Sequence, residues 1–195
     1  MELWIASGNK GKIREFKSIL MDKGIDIHAQ NELAAFYPPP ETGNSFLENA
    51  QIKARALHSV KNKEWVVSED SGLEVFGLNN LPGIHSARYA GDNASDDENN
   101  AKLLKMLKIR SPLKREARFI CVMVAISPEG KEFVVEGEIQ GRISEKLKSG
   151  EGFGYDFCFI PQGEEKTFSE LGLAFKNKVS HRSQAIKKLA EVLVP

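Results

Sequence analysis

Short apolar runs alternate with helix-period segments through the first half of the chain, and this alternation constrains the fold most. Strand-like apolar runs occupy residues 3–6, 25–28 and 65–68, whereas residues 13–20 and 45–59 repeat apolar side chains at the spacing of an α-helix. Strands separated by helices pair in parallel, because a parallel pair needs a long crossover connection. The first half therefore predicts an α/β sheet.

The second half adds an antiparallel hairpin. Residues 119–126 form an unbroken apolar run, which turns through Ser-Pro-Glu-Gly into a second strand over residues 131–139. A capping box of Ser95 and Glu98 begins a third helix, and a last helix follows residue 180. A hairpin beside strand-helix-strand units predicts a mixed sheet of the α/β class, flanked by helices.

Length and charge exclude several classes of protein. The chain has 195 residues, with 27 Lys and Arg against 27 Asp and Glu, so we predict one domain over residues 1–195. Without a basic surplus, nucleic acid is not the expected partner. The apolar runs are far shorter than the roughly 20 residues that span a membrane, and the first residues lack a signal-peptide pattern. We expect a cytoplasmic protein with no membrane partner.

The chain has two cysteines, Cys121 and Cys158, and each lies among apolar residues. They are predicted to be small buried side chains.

The segment between the first strand and the first helix is rich in glycine and lysine. It consists of Ser7, Gly8, Asn9, Lys10, Gly11 and Lys12. A strand-to-helix junction turns unpaired N–H groups and the positive end of the helix dipole toward the loop, which favours an anion. Lysines are unfavourable at that end unless an anion such as a polyphosphate neutralises them. The alternative is a solvated surface loop, and the P-loop spacing is absent.

Lys53 lies inside the apolar stripe of the helix predicted over residues 45–59. At about 100° per residue, Lys53 projects within about 20° of Phe46, and Asn49 lies beside it. One interpretation is that its methylene groups pass along the core and the ammonium reaches water. The other is that the ammonium is directed at a bound anion.

Acidic residues follow the third predicted strand directly. Glu69 and Asp70 come after residues 65–68, so we expect them at the edge of the sheet, where α/β sheets bind ligands. Glu41 lies in the loop before the helix that carries Lys53. Carboxylates suit Mg²⁺, which takes one or two of them together with phosphate oxygens and water. The alternative is an ordinary acidic turn.

Two further segments carry polar groups that a bare scaffold does not require. His181 and Arg182 place positive side chains at the start of the last helix, the end that prefers negative charge. Residues 152–156 combine two aromatic rings, two glycines and a carboxylate, which suits stacking on a flat ring. A capped helix start and an aromatic-lined turn are the respective structural alternatives.

Taken in order, these segments resemble the inosine triphosphate pyrophosphatase family, also called Ham1-like. The matching blocks extend over nearly the whole chain and comprise residues 7–12, 41–54, 69–73, 82–89, 152–156 and 180–182. The resemblance implies an elongated mixed β-sheet flanked by helices, with two lobes and a cleft between them. It also implies a homodimer that uses Mg²⁺.

The resemblance further implies an activity and the residues that carry it. Family members hydrolyse non-canonical purine nucleoside triphosphates, such as ITP, dITP and XTP, to the monophosphate and pyrophosphate. Asp70 would be the general base and would bind the metal together with Glu41. The residues that would contact the substrate are Ser7, Gly8, Asn9, Lys10, Gly11, Lys12, Lys53, Ser71, Phe153, Gly154, Tyr155, Asp156, Lys176, His181 and Arg182.

The proposed base contacts give a reason for selectivity. Hypoxanthine and xanthine carry a 6-keto acceptor where adenine carries an amino donor, so donors from His181 or Arg182 would leave ATP with mismatched buried partners. Three positions depart from the family pattern. Phe157 stands where relatives usually have proline and Ser183 where glycine is common, both beside presumed base contacts; Glu69 stands where many have aspartate, and its role is open.

Two other functions remain as alternatives. One is a Maf-like nucleotide pyrophosphatase of different specificity, which would share the fold. The other is a nucleotide-binding regulator that has lost turnover.

Overall fold

Strands and helices alternate along residues 1–194, which are the residues that the structure, a computed structural model, describes. The strands are β1 (Glu2–Ile5), β2 (Asp26–Ala29), β3 (Trp65–Val75), β4 (Leu81–Pro82), β5 (Glu116–Ile126), β6 (Glu132–Ile143) and β7 (Phe159–Pro161). The helices are α1 (Lys10–Leu20), α2 (Phe46–His58), α3 (Asp96–Arg110), α4 (Phe168–Val179) and α5 (His181–Leu193).

The strands form a mixed sheet. Its order is β2-β1-β3-β5-β6-β7, and β4 pairs with β3. The strand β1 runs parallel to both of its neighbours, whereas β4 and β7 run antiparallel to theirs. The predicted α/β class and the mixed sheet flanked by helices are therefore confirmed. The predicted cleft between two lobes stays a prediction.

The chain divides into two compact units. The first contains Met1–Asp70, Cys121–Gly137 and the segment that begins at Arg182; the second contains Ser71–Ile120 and Glu138–His181. The strands β3, β5 and β6 each contribute residues to both units. The prediction of one domain over residues 1–195 stays a prediction.

In the first unit, helices cover both faces of the strands. Phe16 of α1 and Ile186 of α5 pack with Leu3 in one core cluster, while Ala54 of α2 packs with Val124 in another. Because side chains alternate across a strand, neighbouring residues of one strand enter opposite layers. This alternation decides where the charged residues of β3 point.

In the second unit, α3 and α4 enclose an aromatic core. Leu103 of α3 packs with Phe119, Phe159 and Phe168, and all four are buried. The free cysteines Cys121 and Cys158 are buried as predicted, with no disulfide between them. Burial raises the pKa of the Cys158 thiol. Burial and the charge of Glu69 together raise the pKa of the Cys121 thiol.

No helix among residues 1–194 is long and apolar enough to cross a membrane.

One predicted strand boundary is wrong, and one helix was missed. The strand predicted over residues 65–68 continues through Glu69 and Asp70 to Val75, because both acids are buried beside partners rather than exposed in a turn. Pairing between β1 and β3 ends at Val67, so the acids do lie just beyond the end of β1. The helix α4 was not predicted. Its apolar period is interrupted at Gly172, where φ is +81° and two helical pieces meet in a kink.

Candidate active site

The predicted anion loop leads into α1, as expected for a strand-to-helix junction. Asn9 caps the helix, and its Oδ1 accepts hydrogen bonds from the N–H groups of Gly11 at 2.9 Å and Lys12 at 3.1 Å. Ser7 Oγ accepts from the N–H of Asn9 at 3.2 Å. The cap already satisfies two of the free donors of this helix end. An anion bound here would therefore rely chiefly on the lysines, and Lys10 is exposed.

A buried group of charges, the Glu69 cluster, lies on one face of β3. Glu69 Oε2 accepts hydrogen bonds from Arg182 Nε at 2.8 Å and from Cys121 Sγ at 2.9 Å, and Glu69 Oε1 forms an ion pair with Lys12 Nζ at 2.7 Å. The other side of the Arg182 guanidinium donates to Glu15 Oε2 at 2.6 Å. Burial alone would raise the pKa of Glu69, but Arg182 and Lys12 outweigh it and hold this pKa well below its ordinary value. Arg182 and Lys12 thus favour the charged form of Glu69, which contacts both cations, one of them in the anion loop.

The surroundings of Arg182 are not those of a side chain that only contacts the base. Its side chain is 3% exposed and bonded to carboxylates on both sides. Burial of the guanidinium is offset by Glu69 and Glu15, which raise its pKa well above the ordinary value. Its predicted contact with the base stays a prediction, whereas its role in neutralising two buried carboxylates is evident from the geometry. That same geometry gives Glu69 an ion-pairing role.

The opposite face of β3 carries the Lys53 cluster, which consists of Lys53, Glu41, Asp70 and Asn49. Lys53 Nζ lies 2.6 Å from Glu41 Oε1 and 3.5 Å from Asp70 Oδ1. Asn49 Nδ2 donates to Asp70 Oδ2 at 3.1 Å, while Asn49 Oδ1 accepts from the N–H of Gly43 at 2.9 Å. Asn49 thus connects Asp70 to the loop that carries Glu41. Lys53 is directed at carboxylates rather than extended into water.

The electrostatics of the Lys53 cluster are set by burial and by two neighbouring acids. Burial raises the pKa of the Asp70 carboxyl more than Lys53 lowers it, and the charge of Glu41 adds to the rise. Burial lowers the pKa of the Lys53 ammonium, but Asp70 and Glu41 outweigh it and raise this pKa. Lys53 therefore stays cationic, and Asp70 is a more basic carboxylate than an ordinary aspartate.

The carboxylates of Glu41 and Asp70 fit a divalent cation. Both approach one ammonium, so their oxygens already converge on a position that holds positive charge. No group of three or more His, Cys, Asp or Glu that could hold a metal occurs within residues 1–194. Two carboxylates are nevertheless the usual protein contribution to Mg²⁺, whose other ligands are phosphate oxygens and water. The donor set therefore suits a metal that arrives with a phosphate.

The second unit brings together the predicted nucleoside residues. Lys176 Nζ donates to Asp156 Oδ2 at 2.6 Å and lies 4.2 Å from the centre of the Phe153 ring. The same Asp156 oxygen accepts from the N–H of Phe153 at 3.0 Å. Asp156 and Lys176 are 1% and 2% exposed, so this ion pair is buried beneath a half-buried aromatic ring. An aromatic face with a charge pair behind it can recognise a planar base with polar edges.

The remaining predicted residues occupy different surroundings. The buried His181 ring stacks on Phe119, with centroids 4.6 Å apart and planes 8° apart. Ser71 is half-buried at the next position of β3 after Asp70. Of the positions that depart from the family pattern, Ser183 is fully buried and Phe157 half-buried. Their effect on purine selectivity stays a prediction.

The Gly152→Ala variant tests the Asp156–Lys176 pair. At φ +138°, a Cβ on Gly152 would lie 2.6 Å from Asp156 Oδ2, so the carboxylate must move. We expect unfolding in urea to show a loss of about 3 kcal/mol, the low end for disturbing a buried ion pair. Gly163→Ala is the matched control, because Gly163 also has positive φ but open space around it, and it should lose only about 1 kcal/mol. Equal losses would show that Asp156 adapts without cost.

Sequence reasoning missed Glu15. It lies on α1 one helical turn before Ile19, which packs against the core, so it stands at the edge of the apolar stripe. The test that singled out Lys53, a charge next to core positions of a helix, would have found it. Its partner Arg182 could not be inferred, because the two are 167 positions apart.

Known proteins are similar to this chain in both sequence and fold. A dITP/XTP pyrophosphatase of Bdellovibrio bacteriovorus is 50% identical over 194 residues, covering 99% of this chain and 98% of that protein. A dITP/XTP pyrophosphatase of Bacillus subtilis is 42% identical, covering 98% and 96% of the two chains. The structure of the Staphylococcus aureus Ham1 protein superposes with a TM-score of 0.87 at 40% identity, covering 99% and 98%. The sequence profile of the Ham1 family matches residues 3–192, and the chain belongs to this family.

Proposed function

We propose that this protein hydrolyses dITP, XTP and ITP to the nucleoside monophosphate and pyrophosphate, and so removes non-canonical purines from the nucleotide pool. The predicted enzyme class, a nucleoside triphosphate diphosphatase, is confirmed by full-length relatives named dITP/XTP pyrophosphatase. The match to the Ham1 family over residues 3–192 favours this activity over the Maf-like alternative.

The observation that carries the proposal is the position of Lys53 between Glu41 and Asp70. Its ammonium contacts both carboxylates, and on the other face of the same strand Lys12 is fixed by Glu69. Hydrolysis between the α and β phosphorus atoms expels pyrophosphate, whose charge must be neutralised as it develops. Lys10, Lys12 and Lys53 are the cations for that purpose, and Glu69 orients the second of them.

Asp70 is the proposed general base. Its carboxylate is buried beside Lys53, and the Asn49 amide fixes one of its oxygens, so it is held in place to accept a proton. Glu41 and Asp70 would hold Mg²⁺. When bound, the metal would supply Lewis-acid stabilisation of phosphate charge and a lower pKa for water. Asp70 would accept the proton of the attacking water.

The nucleoside is assigned to the second unit. Phe153 and Tyr155 would supply aromatic surface, and the Asp156–Lys176 pair and His181 would supply polar contacts to the base. A donor to the 6-keto oxygen would discriminate against the 6-amino group of adenine, because a mismatched polar pair is costly once buried. We also propose, from the resemblance to the family, that the protein is a cytoplasmic homodimer.

A substrate panel tests the proposal. Pyrophosphate release is measured from dITP, XTP, ITP, GTP and ATP, with Mg²⁺ and with chelator. We expect release from the first three to exceed that from ATP by at least about 100-fold and to need the metal. Tight binding without release would indicate the regulator instead. A preference for a pyrimidine or methylated nucleotide, tested in the same assay, would indicate a Maf-like specificity.

A further inference from the structure

The first turns of α3 hold two loops of the second unit through adjacent asparagines. Asn99 holds the loop before the helix: its Nδ2 donates to the carbonyl of Ala87 at 3.0 Å, and its Oδ1 accepts from the N–H of Ala90 at 2.7 Å. Asn100 faces the other loop, where the proposed nucleoside residues lie. Both asparagines are buried, at 3% and 0% exposure. Fully bonded buried amides of this kind fix the groups they contact.

Gly154 lies in the middle of the proposed nucleoside loop, and both its N–H and its carbonyl are hydrogen-bonded. Its N–H donates to Asp96 Oδ2 at 2.6 Å, and its carbonyl accepts from Asn100 Nδ2 at 2.8 Å. Gly154 has φ +59°, a left-handed conformation that is strained for other residues. Asn100 Oδ1 is also engaged, by Cys158 Sγ at 3.1 Å. The Asn100 amide therefore spans the loop from Gly154 to Cys158.

A third bond ties the same loop to β3. Tyr155 OH donates to the carbonyl of Ser86 at 2.8 Å, and Ser86 Oγ accepts from the N–H of Leu73 at 2.9 Å. The loop is thus anchored at Gly154 and at Tyr155, the two residues between Phe153 and Asp156.

We propose that Asp96 and Asn100 are positioning residues for nucleoside recognition. They fix the Gly154 peptide groups, and thereby the direction of Phe153 and of the Asp156 carboxylate that Lys176 contacts. The inference rests on the proposed function, since it gives this loop the nucleoside. A pre-formed loop saves the free energy of ordering it on binding, so the two residues act on substrate affinity. The reacting phosphate is assigned to residues of the first unit, so they leave turnover nearly unchanged.

The chain offers a matched control for Asp96. Asp97 is the next residue in the first turn of α3, carries the same charge at the positive end of the helix and is also exposed. Among the described residues 1–194, the Asp97 side chain makes no hydrogen bond or ion pair. Asp96→Ala and Asp97→Ala therefore remove the same charge from the same helix end, but only the first removes the acceptor of the Gly154 N–H. Asp96→Asn restores an acceptor oxygen.

The experiment measures KM and kcat for dITP in the full-length protein. We expect Asp96→Ala to raise KM about tenfold, the effect of losing one charge-assisted hydrogen bond, with kcat within about twofold. Asp97→Ala should match the wild type, and Asp96→Asn should recover most of the affinity. Equal KM values for the two alanine variants, or a loss confined to kcat, would overturn the inference.

Amide hydrogen exchange separates this inference from the proposed function. Peptides covering residues 150–158 should exchange faster in Asp96→Ala than in Asp97→Ala, whether or not the protein hydrolyses dITP. If the wild type releases no pyrophosphate from any purine nucleotide, the proposed function fails, and the exchange result still decides whether Asp96 holds the loop. If the loop exchanges faster while KM is unchanged, the contact is purely structural and the inference is wrong.

Discussion

Replacing Asp70 with asparagine is expected to lower kcat for dITP by at least about 100-fold, the low end for a positioned general base. The substitution keeps the shape of the side chain, so it removes the proton acceptor and little else. Asn49 can still bond to the remaining oxygen, and Lys53 keeps Glu41 at 2.6 Å. Steady-state pyrophosphate release at saturating dITP and Mg²⁺ measures the loss.

The control for this variant is an acid outside both clusters. Asp92 is exposed in a loop of the second unit, and Asp92→Asn should leave kcat unchanged. Thermal unfolding of Asp70→Asn should stay close to the wild type, since the cost of burying the Asp70 charge and its repulsion from Glu41 disappear together with its attraction to Lys53. Undiminished turnover would assign the base to Glu41, because Glu69 faces the other side of β3 and is held ionised by Arg182 and Lys12.

The parts of the site that could be predicted from the sequence are those with local signals. Lys53 stands out because a charge at a core position of a helix breaks a 3.6-residue period within one element. The anion loop stands out because strand, glycines, lysines and helix follow each other within 12 residues of the amino terminus. The structure places carboxylates beside both. The sequence pattern therefore identified the lysines but not the acids that they contact.

The parts that could not be predicted depend on distant partners. Glu69 and Asp70 suggest a turn when read locally, because two acids rarely continue a buried strand. They do so here since Arg182, 113 positions from Glu69, neutralises one of them. The Gly154 contacts are similar, because Asn100 is 54 positions away, and nothing in its own helix indicates its partner. A polar side chain is buried only where a partner satisfies it. A local sequence pattern shows the side chain but not that partner.

Replacing Arg182 with methionine is expected to have the largest effect on stability. Methionine has a similar length but no charge, so Glu69 loses one of its two cations and Glu15 loses its 2.6 Å partner. Breaking a buried ion pair by removing one member costs about 3–5 kcal/mol, because the other charge stays buried. For a chain of this size we expect the Tm to fall by about 10 °C. Chemical denaturation at pH 7 measures the free energy.

Arg142→Met is the matched control for that loss. Arg142 also donates to a carboxylate, Glu165 at 3.4 Å, but that pair is exposed, and exposed pairs contribute at most about 1 kcal/mol. Adding Glu69→Gln to the Arg182→Met variant should restore part of the stability, since it removes a buried charge that has lost one of its two cations. Equal effects of the two arginine substitutions would contradict the buried-charge explanation.

The pH dependence of the stability tests the buried-charge explanation independently. The pKa of Glu69 is well below its ordinary value in the folded protein, so the stability gained from Glu69 is fully present above its unfolded pKa of about 4.3. It is lost as the pH falls through the lower folded pKa. Arg182→Met weakens this depression, so the difference between wild type and variant should be greatest near neutral pH and should shrink in acid. A difference that stays constant down to the acid transition would mean that Arg182 stabilises the fold by packing rather than through the Glu69 carboxylate.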